Sequence, residues 1–156
     1  LINFGITLFV LAGFLLCYKI PITAHIVLLI PATIILSLFS LGLSFITAAL
    51  AVFFRDIFHI LEVLLLLWFW AVPVVYPIYP SHLSLLSDLP EKWSWVATCY
   101  KWNPMVEILE LFRYTFLYKE WPSLKMFAFA LVSSVVCALI GYLVFKKASP
   151  NFAREI

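Results

Sequence analysis

Charged residues divide this chain into four uncharged runs of bilayer-crossing length. Leu1–Tyr18 holds eighteen residues, Ile20–Phe54 thirty-five, Val63–Ser87 twenty-five and Met126–Phe145 twenty. A helix rising about 1.5 Å per residue needs about 20 apolar residues to cross a hydrocarbon core about 30 Å thick. The first run only just qualifies. The second is too long for one crossing and too short for two, so it predicts one long helix, from near Ala24 to Phe54, that tilts or projects beyond the lipid. Pro31 inside it predicts a kink or a break. Gly42, Ser37, Ser40 and Ser44 place small residues at helical spacing, which in lipid lets helices approach closely. The fold class that follows is all-α integral membrane, with four transmembrane helices over about 1–18, 24–54, 57–76 and 124–145 in a single domain of 1–156.

Composition points the same way. Hydrophobic residues make up 65% of the chain and charged residues 12%, against about 45–50% and about 25% in a soluble domain. The net charge of +2 has no basic block behind it, so nucleic acid finds no electrostatic footprint. Cys17, Cys99 and Cys137 form no C-x-x-C pair and, being odd in number, give no disulfide framework. His25, His59 and His82 are scattered, and no metal-ligand spacing is present. The chain opens inside an apolar run without an initiator Met, a basic n-region or a small-residue cleavage site. A signal peptide is the weaker reading, and the chain is expected to begin partway through a larger protein.

The third run ends in "AVPVVYPIYP", where Pro73, Pro77 and Pro80 forbid a regular helix. That span is expected to start near Ile57, loosen at Pro73 and leave the membrane near Tyr76–Pro80. Residues 81–125 carry most of the charges, together with Trp93, Trp95, Tyr100, Trp102, Phe112, Tyr114, Phe116, Tyr118 and Trp121. A solvated loop has no use for so many rings, whereas an interfacial or re-entrant element does. Within it "WNPMVEILELFRYTFLY" reads as a helix. Asn103 caps it, Pro104 takes its first position, and Glu107 suits the positive end of its dipole. Glu107, Glu110 and Tyr114 share one face, Glu110 and Arg113 are spaced to pair, and Val106, Leu109, Phe112 and Phe116 make the other face. The last span is expected to stop at Lys146–Lys147. Four spans put both ends on one side, and Lys146, Lys147 and Arg154 favour the cytoplasm. Arg55 then faces inward, and 77–123 faces outward.

These pieces, in this order, resemble a known family. An "FFRD" between two spans, a span ending "VPVVYP", an amphipathic "WNPMVEILELFR", then a last span and "SPNFAREI" look like the C-terminal part of an ABC-2 type exporter permease. The similarity is to its polysaccharide branch, the permeases for O antigen, capsule and teichoic acid. The resemblance implies six spans per subunit, of which these are the third to sixth. It implies a homodimer in the bacterial inner membrane, and a cytoplasmic ATP-binding subunit that holds the ATP and Mg. The cargo would be a lipid-linked polysaccharide. The helix of "WNPMVEILELFR" would be one of a pair of re-entrant outer helices.

Each candidate residue has a plainer reading beside its functional one. Arg55 and Asp56 are either a cytoplasmic turn that touches the dimer partner, the coupling region or the ATP-binding subunit, or anchors at the lipid boundary. Glu62 lies about 9 Å beyond Asp56 along a helix, with His59 between them. At that depth Glu62 must face protein or water, as the inner mouth of a conduit or as a partner of Arg55. Trp68, Trp70, Tyr76 and Tyr79 either guide sugar rings or belong to an interfacial belt. Trp68 and Trp70 fall on different faces, so at most one points into a shared lumen. Asn103, Pro104, Glu107, Glu110 and Arg113 form either an outer gate or an internally neutralised helix.

Three functions are weighed. The first is the permease half of an ATP-driven polysaccharide exporter, with no hydrolysis of its own: there is no G-x-x-x-x-G-K-[ST] loop, and the four glycines are unclustered. The second is an ABC-2 permease for a drug or other small hydrophobic molecule. The third is a membrane enzyme acting on a lipid, for which His59–Glu62 at i, i+3 offers two ligands and no third.

Overall fold

The computed structural model describes residues 2–17, 24–54, 56–74, 95, 98, 102–118 and 121–151. Helix α1 spans Ile2–Cys17; a 3-10 turn, Ala24–Leu28, leads into α2, Leu29–Phe53; α3 spans Ile57–Ala71. Helix α4, Pro104–Arg113, runs on as a π-helical turn, Tyr114–Tyr118, and α5, Leu124–Ala148, ends in a 3-10 turn, Ser149–Asn151. Among the described residues there is no strand, and the fold is all-helical.

Two helices are long and apolar enough to cross a membrane: His25–Phe53, of 29 residues, and Leu124–Ala148, of 25. With 16 residues in α1 and 15 in α3, these helices rise only about 24 and about 22 Å, less than a core of about 30 Å. By length, then, the described helices supply two of the four expected crossings. Pro31 does not interrupt α2. It sits in the first turn of α2, where the 3-10 pitch gives way to α, so the break is a change of pitch at a point where a proline is tolerated. Helix α3 stops at Ala71, short of the expected 76, because Val72 is extended and Pro73 follows. Helix α5 does not stop at Lys146 and Lys147 but carries them in its last turn, where cations suit the dipole.

The core is the crossing of α2 with α5. Helix α2 buries Ala32, Ile35, Phe39, Gly42 and Ala49, and α5 buries Met126, Ala130, Ser134, Gly141 and Ala148. Lipid tails are as apolar as these side chains, so burial from water does not drive the pairing. Close dispersion contact does, and that needs small residues. Gly42 and Gly141 meet backbone to backbone: a Cβ on Gly42 would lie 2.5 Å from the Cys137 carbonyl carbon, and one on Gly141 would collide with the Gly42 carbonyl. Of the small residues read in the sequence, only Gly42 lies at this crossing. Ser40 and Ser44 are exposed. The α2 hydroxyls turn back on their own helix instead, Thr33 donating to the Leu29 carbonyl at 2.7 Å and Ser44 to Ser40 at 2.7 Å. That satisfies them where no water is at hand.

Helix α4 packs across the α2–α5 pair, its Ile108 and Leu111 joining the cluster of Ile35, Phe39 and Ala130. By contrast, α3 has no buried residue at all.

Candidate functional site

The site grows from the end of α3. After Ala71 the chain is no longer helical, so the Pro73 and Val74 carbonyls lack the acceptor role a helix would give them. Arg113, at the end of α4, supplies the donors. Its Nη2 donates to the Pro73 carbonyl at 2.5 Å and to the Val74 carbonyl at 3.0 Å. Its Nη1 donates to Oε1 of Glu110 at 2.6 Å, and the Glu110 side chain is fully buried. One guanidinium thus neutralises a buried carboxylate and ties the broken end of α3 to α4, using its planar fork of donors.

Helix α4 itself forms as its sequence directs. The Asn103 side chain accepts from the Met105 N–H at 3.1 Å, and Pro104 takes the first helical position. No residue of α4 is exposed, and its acids are covered along with its apolar residues. Glu107 and Glu110 are buried alongside Val106, Ile108 and Leu111, while Leu109, Phe112 and Phe116 of the expected apolar face are only partly covered. In lipid this is the stable arrangement, since carboxyls must face protein and rings may face hydrocarbon. Burial, and then the negative charge of Glu110, hold the Glu107 carboxyl above its ordinary range. One Glu107 oxygen, Oε2, is buried without a hydrogen-bond partner among the described residues. Burial, followed by the Glu110 charge, pushes the Tyr118 hydroxyl up to about 12, so it stays neutral beside that carboxylate.

A groove lies between α2 and α3. Its end nearer α4 is a 250 Å³ space bounded by Phe39, Ser40, Trp68, Val72 and Met105. The other end holds 620 Å³ bounded by Ser44, Thr47, Phe58, Leu61 and Glu62. Trp68 stands in both and meets Phe39 edge-on, ring centroids 6.1 Å apart. Trp70 is 71% exposed and takes no part in the groove. Glu62 is on the groove wall with Ser44 and Thr47, whereas His59 and Asp56 are exposed outside it. Arg55, Tyr76 and Tyr79 lie outside the described residues. Among the described residues no three His, Cys, Asp or Glu side chains converge as metal ligands.

Of the expected site residues, the structure gathers Asn103, Pro104, Glu107, Glu110 and Arg113 around one helix, and Glu62 and Trp68 around one groove. It does not join the two sets directly; Arg113 links them through Pro73 and Val74. The Pro73 and Val74 carbonyls, Tyr118 and Gly141 were not among the residues picked out. The proline-rich stop after Ala71 signalled that some carbonyls there would need a donor, but nothing in it named Arg113.

Comparisons with known proteins bear on this arrangement. No protein-family model matches the chain, and no solved structure matches it. It is 33% identical over 134 residues to the O-antigen export system permease protein RfbA of Myxococcus xanthus, covering 86% of this chain and 48% of that protein. Two Klebsiella pneumoniae proteins of the same name are each 28% identical over 122 residues, covering 75% of this chain and 40% of their own length. The chain thus spans about half the length, or somewhat less, of the curated relatives it matches. All three are named as permeases rather than enzymes. Across most of its own length, the chain is a homologue of the O-antigen export permeases, in agreement with the ABC-2 type permease that its motifs resemble.

Proposed function

We propose that this chain is the C-terminal, membrane-embedded part of an ABC-2 permease that exports a lipid-linked polysaccharide of the O-antigen kind across the bacterial inner membrane. The supporting observation is its similarity to O-antigen export permeases over 86% of the chain. In this reading α1 and α3 complete, with α2 and α5, four crossings. Two copies line one pathway, and a cytoplasmic ATP-binding subunit holds ATP and Mg and drives the cycle.

The geometry suits that task. Helices α2 and α5 make a rigid pair. Helix α3 is tied mainly at its proline-broken end, so it can shift against the pair as the ATP-binding subunits close. The groove between them, with Trp68 deep in it and Glu62 at its rim, is the candidate wall of the path. Asp56, and Arg55 beside it, would meet the coupling region at the inner face. Helix α4 with Arg113 would report that shift to the outer face.

The test is co-purification of the full-length permease with the ATP-binding protein encoded beside it, followed by ATPase measurement with and without the lipid-linked glycan. The permease alone is expected to be inactive and the complex active and glycan-responsive. ATPase activity in the permease alone, or loss of the gene without loss of surface polysaccharide, overturns the reading.

A further inference from the structure

Glu107 points to a second ligand. The residue is 8% exposed, and its Oε2 is buried with no hydrogen-bond partner among the described residues. The guanidinium that might have served it is committed elsewhere, to Glu110 and to the α3 carbonyls. Yet Glu107 forms a wall of a 390 Å³ pocket, shared with Tyr114, Ser123, Lys125, Met126 and Phe129. That volume lies within the range of about 300–1,000 Å³ usual for small-ligand sites. A buried carboxylate facing such a space calls for a cation with N–H donors.

Another part of the lining suits an anion. Lys125 lies there, exposed, in the first turn of α5. That turn carries no acidic residue and presents the positive end of a 25-residue helix. Among the described residues Lys125 makes no ion pair. The lining thus holds an acidic group together with an ammonium and a helix terminus, a set that suits a zwitterion. The pocket also lies at a definite depth. Trp102, 73% exposed, meets the pocket residue Phe129 edge-on at 6.2 Å, and Trp121, 63% exposed, lies two residues before Ser123. Exposed tryptophans of this kind sit at the headgroup level of a bilayer.

We propose that this pocket binds the headgroup of a phosphatidylethanolamine lipid, its primary ammonium on Glu107 and its phosphate on Lys125 and the α5 N-terminus. A primary ammonium donates hydrogen bonds to the carboxylate, which the quaternary ammonium of a choline lipid does not. A glycerol headgroup brings no positive charge. The same ammonium chemistry is carried by an amino sugar, and the test separates the two sources. The proposal rests on the membrane placement given above and not on the identity of the cargo.

The full-length permease, stripped of lipid in detergent, is titrated with phosphatidylethanolamine, phosphatidylcholine or phosphatidylglycerol, and bound lipid is counted by native mass spectrometry. The ethanolamine lipid is expected to bind about tenfold more tightly than either of the others. Glu107→Gln is expected to remove that preference, and Lys125→Glu to weaken all three lipids by about tenfold, since each carries the phosphate. If Glu107→Gln does not fold, the preference of the unsubstituted permease and the uniform loss in Lys125→Glu, at an exposed position, carry the test. Equal retention of the three lipids, a preference that survives Glu107→Gln, or undiminished binding in Lys125→Glu overturns the proposal. Displacement of the lipid by glucosamine at equal concentration assigns the pocket to a sugar amine and overturns the lipid as occupant. Failure of transport with lipid preference intact would instead count only against the export reading.

Discussion

The α2–α5 crossing and helix α3 are equally apolar, yet one is packed and the other bare. At the crossing, glycines bring two backbones together, and residues buried on each helix follow one stripe. Helix α3 has leucines and rings on every side and buries none of them. The difference is not hydrophobicity, since lipid gives apolar side chains no reason to leave it. It is side-chain size at the contact. Helix α3 has no glycine, alanine or serine between Ile57 and Trp70, so it cannot approach another helix closely. It is held instead by polar bonds at its broken end. A membrane chain thus has two ways to fix a helix, and here they sit side by side.

The sharpest way to break this contrast is to enlarge the crossing. Gly141→Leu is expected to destabilise the folded chain by about 4 kcal/mol or more, because its Cβ meets the Gly42 backbone rather than a movable side chain. Thermal or denaturant unfolding in detergent measures it, and a loss under 1 kcal/mol would mean the helices do not pair through this point. Next in size is Arg113→Gln. It leaves the buried Glu110 carboxylate without its guanidinium and frees the Pro73 and Val74 carbonyls, for an expected loss of about 3 kcal/mol. Its mark would be selective. Cysteines placed at the end of α3 and on α4 should lose their cross-link, while a pair across α2 and α5 keeps its own. Smallest is Trp70→Ala, expected to change stability by less than about 0.5 kcal/mol, since that side chain is 71% exposed. Trp68→Ala, which removes the ring packed on Phe39, should exceed it. Equal losses in the two variants would show that α3 is not oriented as described.

Much of this was legible in the residues. The uncharged runs marked the apolar helices. Asn103 and Pro104 marked the start of α4, because a cap and a helix-ready φ act within three residues. The Glu110–Arg113 pair followed from spacing alone. Pro31 shows where local reasoning stops: a proline predicts a fault, but whether the chain bends or merely changes pitch depends on how near the helix start lies. The facing of α4 shows the same. Its two faces were readable, yet that the acids are covered while Leu109, Phe112 and Phe116 are only partly so depends on what packs around it.

What the sequence alone determined is where the apolar helices lie, the start of α4 at Asn103, and the apolar medium they suit, because these depend on neighbours along the chain. The tertiary structure decided which glycine meets which, that Arg113 reaches across 40 residues to the Pro73 carbonyl, and that Glu107 and Lys125 line one pocket. Those are distances through space between residues remote in the chain, and local propensity carries no information about them.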